Sequence, residues 1–303
     1  MKNRKIFTNS LLPLLVTAVL VGTILPAEAQ ISGTDPVPAE ASQLRHRFQD
    51  GIVAHPGFTS AERRAMQGNL VACLALGFTE SQLAVLFPDK SSERSFSAEA
   101  FLGFKNRVLG IASEGLPPEP MLAKIQEGSI KQVPEPMLER ACARIEANLD
   151  TARRVMTGAA ADGLEEIDDP AREQRMVGGV AQHMWRGMNE EGLNHLREQA
   201  RLRLREGACG VEDMAWASEV ATRLHEEGVD LHESVRFAGD ALRRGYRAPQ
   251  MRELRLMVAA RRGDHSVEGF LVDMEHCLSA TMAIDDMYNY MMQHGWMGPG
   301  DRH

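Results

Sequence analysis

The chain has 303 residues, of which 44% are hydrophobic and 25% charged, and its net charge is −8 at pH 7. This length can bury a sizeable core, and the acidic balance argues against nucleic acid and anionic membrane surfaces as partners. Aromatic residues make up only 5% of the chain, whereas methionines number 17. Strict alternation of β-branched residues is missing, so the sequence predicts an all-α protein with a core of Leu, Ala, Val and Met.

The N-terminal segment has the form of a secretory signal peptide. Its apolar stretch is shorter than the ~18 to 20 residues of a membrane-spanning helix. We therefore expect cleavage between Ala29 and Gln30, a periplasmic or secreted mature protein, and a flexible lead-in over residues 30–40. The signal starts with the positive residues Lys2, Arg4 and Lys5, continues with an apolar stretch over residues 11–25, and ends with a small-residue cleavage site at residues 27–29.

Apolar residues recur with the period of about 3.6 residues that is typical of helices. Several glycines precede an apolar residue and then a helix-starting residue, which indicates that one helix ends and another begins. They are Gly77, Gly115, Gly187, Gly228 and Gly245. From Gly210 the glycines continue at 228, 245 and 263, a spacing typical of stacked helical pairs. The predicted helices cover residues 39–54, 60–76, 79–87, 96–114, 118–131, 134–157, 171–186, 189–206, 211–227, 230–244, 248–262, 265–278 and 280–294.

The pattern predicts stacked helical hairpins, in an α-solenoid-like or irregular helical array, arranged as two lobes. An N-terminal lobe over residues 41–157 and a C-terminal lobe over residues 171–297 are joined by a linker over residues 158–170. The linker is inferred from small residues and an acidic run, Glu165 to Asp169, ahead of Pro170. Residues 298–303 form the predicted tail.

A pentapeptide, Pro-Glu-Pro-Met-Leu, occurs at residues 118–122 and again at 134–138, each time as a helix start. An apolar stripe follows each copy, which favours a helix N-terminus over a proline-rich ligand motif. Residues 115–128, with Val133-Pro134, resemble a motif of uncharacterised exported bacterial α-helical repeat proteins, in which Gly-Leu-Pro-x-Glu-Pro starts a short helix. The resemblance covers residues 115–156 and implies an exported helical-repeat fold with no particular activity.

Four cysteines, Cys73, Cys142, Cys209 and Cys277, stand in a chain predicted to be exported, where disulfides can form in three pairings. Their spacings of 69, 67 and 68 residues are nearly equal. Equal spacing indicates either equivalent places in a long repeat or coincidence, and coincidence is favoured because the flanking sequences do not align. No Cys-x-x-Cys pair is present, which disfavours a structural zinc site or a thioredoxin-like centre.

The C-terminal segment concentrates soft metal ligands, which suit monovalent copper. The candidate ligands are Met287, Met291, His294 and Met297. Helix packing explains the methionines equally well, so copper handling is the second hypothesis. A joint metal site of His225 and His232 requires adjacent helices to bring the two side chains together.

Catalytic motifs such as a Gly-x-Ser-x-Gly elbow, a phosphate-binding loop or a dinucleotide fingerprint are missing from the sequence. We therefore expect a helical-repeat interaction or scaffold protein of the bacterial cell envelope, without a cofactor, that binds an envelope protein or peptide on a concave surface. The candidate binding residues are Trp185, Trp216, Arg186 and Arg223, since Trp and Arg dominate interface energetics. An unrecognised envelope hydrolase is the third hypothesis.

Overall fold

The computed structural model describes residues 39–55, 57–87, 96–261 and 266–298. The predicted signal peptide, its cleavage site at Ala29 and Gln30, most of the lead-in and residues 299–303 lie outside these ranges. Thirteen α-helices form within the described residues, which confirms the predicted all-α helical array. The helices from Glu40 onward belong to one compact unit.

The helices are α1 (Ala39–Ala54), α2 (Ser60–Ala75), α3 (Glu80–Leu86), α4 (Ala98–Ser113), α5 (Glu119–Ile130), α6 (Glu135–Ala161), α7 (Pro170–Trp185), α8 (Glu190–Leu204), α9 (Val211–Glu226), α10 (Leu231–Arg243), α11 (Ala248–Ala260), α12 (Val267–Ser279) and α13 (Ile284–Gln293). Each corresponds to a predicted helix. The two copies of the pentapeptide begin α5 and α6, as expected from their prolines.

The largest difference lies at the end of α6, which continues to Ala161, four residues into the predicted linker. Ala159 is fully buried and extends the apolar stripe of α6, so these residues stay helical. α6 then packs against both α7 and α8. The division into two lobes stays a prediction.

Most helices end in the same way. The five predicted glycines all have positive φ, from 76° at Gly115 to 123° at Gly187. The next residue donates its backbone N–H to the carbonyl five residues earlier, as from Phe78 to Cys73 over 3.0 Å, which is the Schellman arrangement. The same bond follows Gly163 and Gly295, and it follows the non-glycine residues Gln132 and Thr281, whose φ is also positive.

Gly210 does not end a helix, so its interpretation as a helix end was wrong. It is the N-cap of α9 and has a φ of −113°. The reason is Asp213, whose buried carboxylate accepts the N–H of Gly210 over 2.8 Å and that of Ala248 over 2.7 Å. Arg247 pairs with the same carboxylate at 2.6 Å. Asp213 therefore joins the first turns of α9 and α11. Gly263, the other glycine in that series, lies outside the described residues.

The helices stack in two rows. Each helix packs mainly on its neighbour and on the next helix but one, so α2, α4, α6, α8, α10 and α12 form an even row and α3, α5, α7, α9, α11 and α13 an odd row. Ion pairs repeat this spacing, as in Arg172 with Glu212 at 2.6 Å and Arg236 with Glu275 at 2.7 Å. Stacking of this kind is typical of helical-hairpin repeats.

All four cysteines are buried free thiols. Burial raises the pKa of the Cys73 and Cys209 thiols to about 12 and that of Cys142 and Cys277 to about 11. Such thiols are unreactive small hydrophobes. Cys209 precedes α9, whereas the other three cysteines lie inside even-row helices at different distances from the helix ends. Their nearly equal spacing in the sequence therefore does not mark equivalent structural positions.

We expect Gly228→Ala to lower the free energy of unfolding by about 1 kcal/mol, because an alanine at a φ of +101° is strained even though no atom lies within 4 Å of the new methyl group. The matched control is Gly103→Ala inside α4, where the methyl group also meets open space but φ is helical. That substitution should raise the free energy of unfolding by roughly 0.5–1 kcal/mol. Urea denaturation measures both, and equal effects would contradict the assignment of Gly228 to helix termination.

Candidate functional site

Two adjacent grooves open on the odd row. The large groove, about 760 Å³, lies between α5 and α7 and is lined by Pro117, Glu119, Pro120, Ala123, Lys124, Glu127, Ile145, Arg175, Gly178, Gly179, Ala181, Gln182 and Trp185. The small groove, about 290 Å³, lies between α7 and α9 and is lined by Arg175, Met176, Gly179, Val180, Gln182, His183, Ala215, Trp216, Glu219 and Arg255. Together they form a surface that crosses three helices.

A ridge on α7 separates the grooves and carries the three residues that line both, Arg175, Gly179 and Gln182. Their spacing of four and three residues places them on one helix face. Gly179 has no side chain, and a methyl group built on it would meet no atom within 4 Å. The ridge is therefore notched at Gly179, and the notch joins the two grooves.

Each groove contains a half-buried tryptophan. Trp185 lines the large groove, with Lys124 Nζ 5.1 Å and the Arg144 guanidinium 4.9 Å from the ring centroid. Trp216 lines the small groove, with the Arg252 guanidinium 5.1 Å from its ring. Neither indole N–H has a hydrogen-bond partner among the described residues. Each tryptophan thus offers an apolar ring and an unused donor to a ligand.

Many arginines among the described residues pair with a carboxylate on the next helix of the row, as Arg172 does with Glu212. Within the described part of the chain, Arg144 and Arg252 have no carboxylate within 4 Å, and Arg175 has only Asp169, at 3.9 Å. The Arg175 side chain is 69% exposed. Arg144, Arg175 and Arg252 are therefore available to a ligand at the grooves.

A buried polar network forms the base of the small groove. His183 Nδ1 lies 2.7 Å from Ser218 Oγ, and Nε2 contacts the Glu219 carboxylate. Arg255 Nε donates to Glu219 over 3.2 Å, and Arg186 approaches it to 3.4 Å. The hydrogen bond from His183, together with the charges of Arg186 and Arg255, lowers the pKa of Glu219 to about 2 despite burial. The network joins α7, α9 and α11.

The combination of Ser218, His183 and Glu219 has the residue types of a hydrolase triad, but its geometry does not fit one. Ser218 is completely buried, and its hydroxyl donates to the Ala215 carbonyl over 2.7 Å. A nucleophile must be accessible to substrate. These residues therefore hold helices together beneath the groove, and they do not favour the hydrolase hypothesis.

Two of the four predicted binding residues, Trp185 and Trp216, lie in the grooves. Arg186 and Arg223 are not among the lining residues. Both contact Glu226, with Arg186 Nε donating over 2.6 Å and Arg223 approaching it to 3.4 Å. Their role in the structure is an ion-pair network at the end of α9.

The residues considered for copper differ in their exposure. Met287, Met291 and Met297 are buried in the core, whereas His294 is exposed and stacks on Tyr290 with ring centroids 3.9 Å apart. His225 binds the carbonyl of Val229 through Nδ1, and His232 is exposed on α10. Within the described ranges, no group of three His, Cys, Asp or Glu side chains is placed to hold a metal ion.

The groove residues that sequence reasoning missed are Lys124, Arg144, Arg175, Gly179, Gln182 and Arg252. Gly178-Gly179 in the middle of a helix was the available signal, because glycine there lowers helix stability by about 1 kcal/mol relative to alanine. Gly178 has a packing reason, since a methyl group on it would lie 3.1 Å from Pro117. Gly179 has no such reason.

No protein-family model, curated protein sequence or solved structure matches the chain. None of the described helices combines the length and apolar character needed to cross a membrane.

We expect Glu219→Gln to lower the free energy of unfolding by roughly 1–3 kcal/mol at pH 6, because it leaves His183, Arg186 and Arg255 without their common carboxylate. The pKa of Glu219 is about 2 in the folded protein against an ordinary 4.5. Its stabilisation is therefore present above about pH 4.5 and is lost as the pH falls toward 2. Urea titrations at pH 6, 4 and 3 should show the difference between wild type and variant shrinking with acidification.

The matched control is Glu198→Gln, which removes an exposed carboxylate paired with Arg201 on the same helix at 2.8 Å. Exposed pairs contribute little, so its effect should be small. A difference between wild type and Glu219→Gln that does not vary between pH 6 and pH 3 would contradict the role given to Glu219.

Proposed function

We propose that this chain is an exported helical-repeat protein that binds a protein or peptide of the bacterial cell envelope in the two grooves of the odd row. The observation that carries the proposal is the pair of joined grooves, each with a half-buried tryptophan whose ring and indole N–H remain available. Tryptophan and arginine in partly enclosed apolar sites are the groups that contribute most to protein recognition.

The shape of the site supports a chain-like ligand. The grooves run side by side and meet at the Gly179 notch, so their combined surface is longer than one small-molecule pocket. Helices pack at intervals of about 8–10 Å, so α5, α7 and α9 together span about 20 Å. An extended peptide crosses that distance in about six residues.

Binding to the grooves is tested by selecting peptides from a random display library. The protein used for the selection is expressed from the full sequence. We expect Trp185→Ala and Trp216→Ala each to lower the affinity for the selected peptides by about 30-fold, since loss of a central tryptophan costs about 2 kcal/mol of binding free energy. Isothermal titration calorimetry measures the affinities. The matched control is Met137→Ala, which removes an apolar side chain that is 55% exposed and does not line the grooves.

Selected peptides that bind the two tryptophan variants as tightly as the wild type would contradict binding in the grooves. A library that yields no peptide binder would count against the proposal equally.

Export rests on the N-terminal sequence and has its own test. We expect the protein recovered from the periplasm or the medium to begin at Gln30, because Ala29 supplies the small side chain that signal peptidase requires. Mass spectrometry of the intact protein reads the N-terminus directly. Replacing Ala29 by leucine should slow processing, and a chain that keeps Met1 and remains in the cytoplasm would contradict export.

A further inference from the structure

The notch at Gly179 has no explanation in the packing of the protein itself. The residue lies in the middle of α7, where glycine lowers helix stability, and a methyl group there would touch nothing. Gly68, Gly103 and Gly110 also lie inside helices and face open space, but of these four glycines Gly179 alone lines the two grooves. Space above a glycine permits close approach of another backbone.

Polar groups with unused bonding capacity surround this space. Gln182, one turn along the ridge, is exposed, and its side-chain amide has no hydrogen-bond partner among the described residues. The Trp185 and Trp216 indole N–H groups lie in the two grooves, as described above. An extended peptide has a backbone donor and acceptor at every residue, and it can use such groups.

The charges select the kind of peptide. Three cationic side chains, Lys124, Arg175 and Arg255, line the grooves together with three carboxylates, Glu119, Glu127 and Glu219, and two further cations, Arg144 and Arg252, contact the tryptophan rings. Lys124 pairs with Glu127 at 2.5 Å and Arg255 with Glu219 at 3.2 Å, which leaves Arg144, Arg175 and Arg252 without a carboxylate closer than 3.9 Å among the residues that the structure describes. The whole chain has a net charge of −8, so this positive region contrasts with the rest of the molecule.

Resting on the proposed function, we infer that the ligand is an acidic peptide segment in extended conformation, whose backbone crosses α7 at the Gly179 notch. Its carboxylates lie beside Arg175 on the ridge and beside Arg144 and Arg252, which contact the tryptophan rings of the large and the small groove. Alternate side chains of an extended peptide point to the same side, so acidic residues two positions apart can face these cations together.

The probe is a capped ten-residue peptide that alternates glutamate with leucine around a central Gly-Gly, and its counterpart has glutamine in place of glutamate. The protein is the full chain with Trp296→Phe, which leaves Trp185 and Trp216 as the fluorophores, since the chain has three tryptophans. We expect the glutamate peptide to shift their emission and to bind at least about tenfold more tightly than the glutamine peptide, with affinity that falls as salt is raised.

The notch is tested by Gly179→Gln, with Gly103→Gln as its matched control, because both glycines are inside helices and face open space. We expect Gly179→Gln to weaken the glutamate peptide at least about tenfold without lowering the midpoint of thermal unfolding, since glutamine is the better helix former. Gly103→Gln should leave binding unchanged. Replacing both Arg144 and Arg175 by glutamine should weaken the glutamate peptide more than the glutamine peptide.

Equal affinity of the two peptides, no binding of either, or equal effects of the two glycine substitutions would overturn the inference. Phosphatidylglycerol vesicles are tested as a further ligand. If they shift the tryptophan emission as much as the glutamate peptide does, the inference is overturned in favour of an anionic lipid surface. If the display library yields neutral peptides that depend on Trp185 and Trp216, the inference fails while the proposed function stands.

Discussion

The arrangement depends on how the helices end. A residue with positive φ, usually glycine, closes each of nine helix ends in the described residues, and the next residue returns its N–H to the carbonyl five positions earlier. This bond reverses the chain within two or three residues and turns an apolar side chain onto the last helical turn. From α2 onward the helices then alternate between two rows, and they bury their apolar stripes against the adjacent helix and the helix two places along.

The grooves arise from departures from that regular stacking. Along the odd row, α9 and α11 are held together by Asp213 and by the Glu219 network, while α5 and α7 leave a large groove between them. The α7 residues facing the large groove include Gly178, Gly179 and Ala181. Because their side chains are absent or small, little of α7 projects beyond the helix backbone at these positions. The same helix carries His183, which fixes it to α9, so one element both anchors the stack and shapes the candidate site.

Two groups of arginine and lysine side chains differ in their surroundings, those that pair between helices and those beside the tryptophans. Many arginines pair with glutamates on the next helix of their row and contribute to the spacing of the stack, as Arg172 does with Glu212 and Arg236 with Glu275. Of the cations beside Trp185 and Trp216, Lys124 pairs with Glu127 on its own helix, whereas Arg144 and Arg252 have no carboxylate within 4 Å in the described ranges. An acidic protein can therefore present a locally positive surface, which its net charge of −8 does not reveal.

The sequence by itself determined the helices, because apolar period, capping residues and glycine termini are local and act within a few residues. It also proposed Trp185 and Trp216 as candidate binding residues by their type. It did not show that Arg186 and Arg223 are engaged by Glu226 or that Gly210 caps α9, since these depend on partners from neighbouring turns and helices. Only the tertiary structure brought Lys124, Arg144 and Trp185 together from three helices and placed Gly179 between two grooves. Groove formation depends on the distances between helices that are far apart in sequence, and no local pattern encodes those distances.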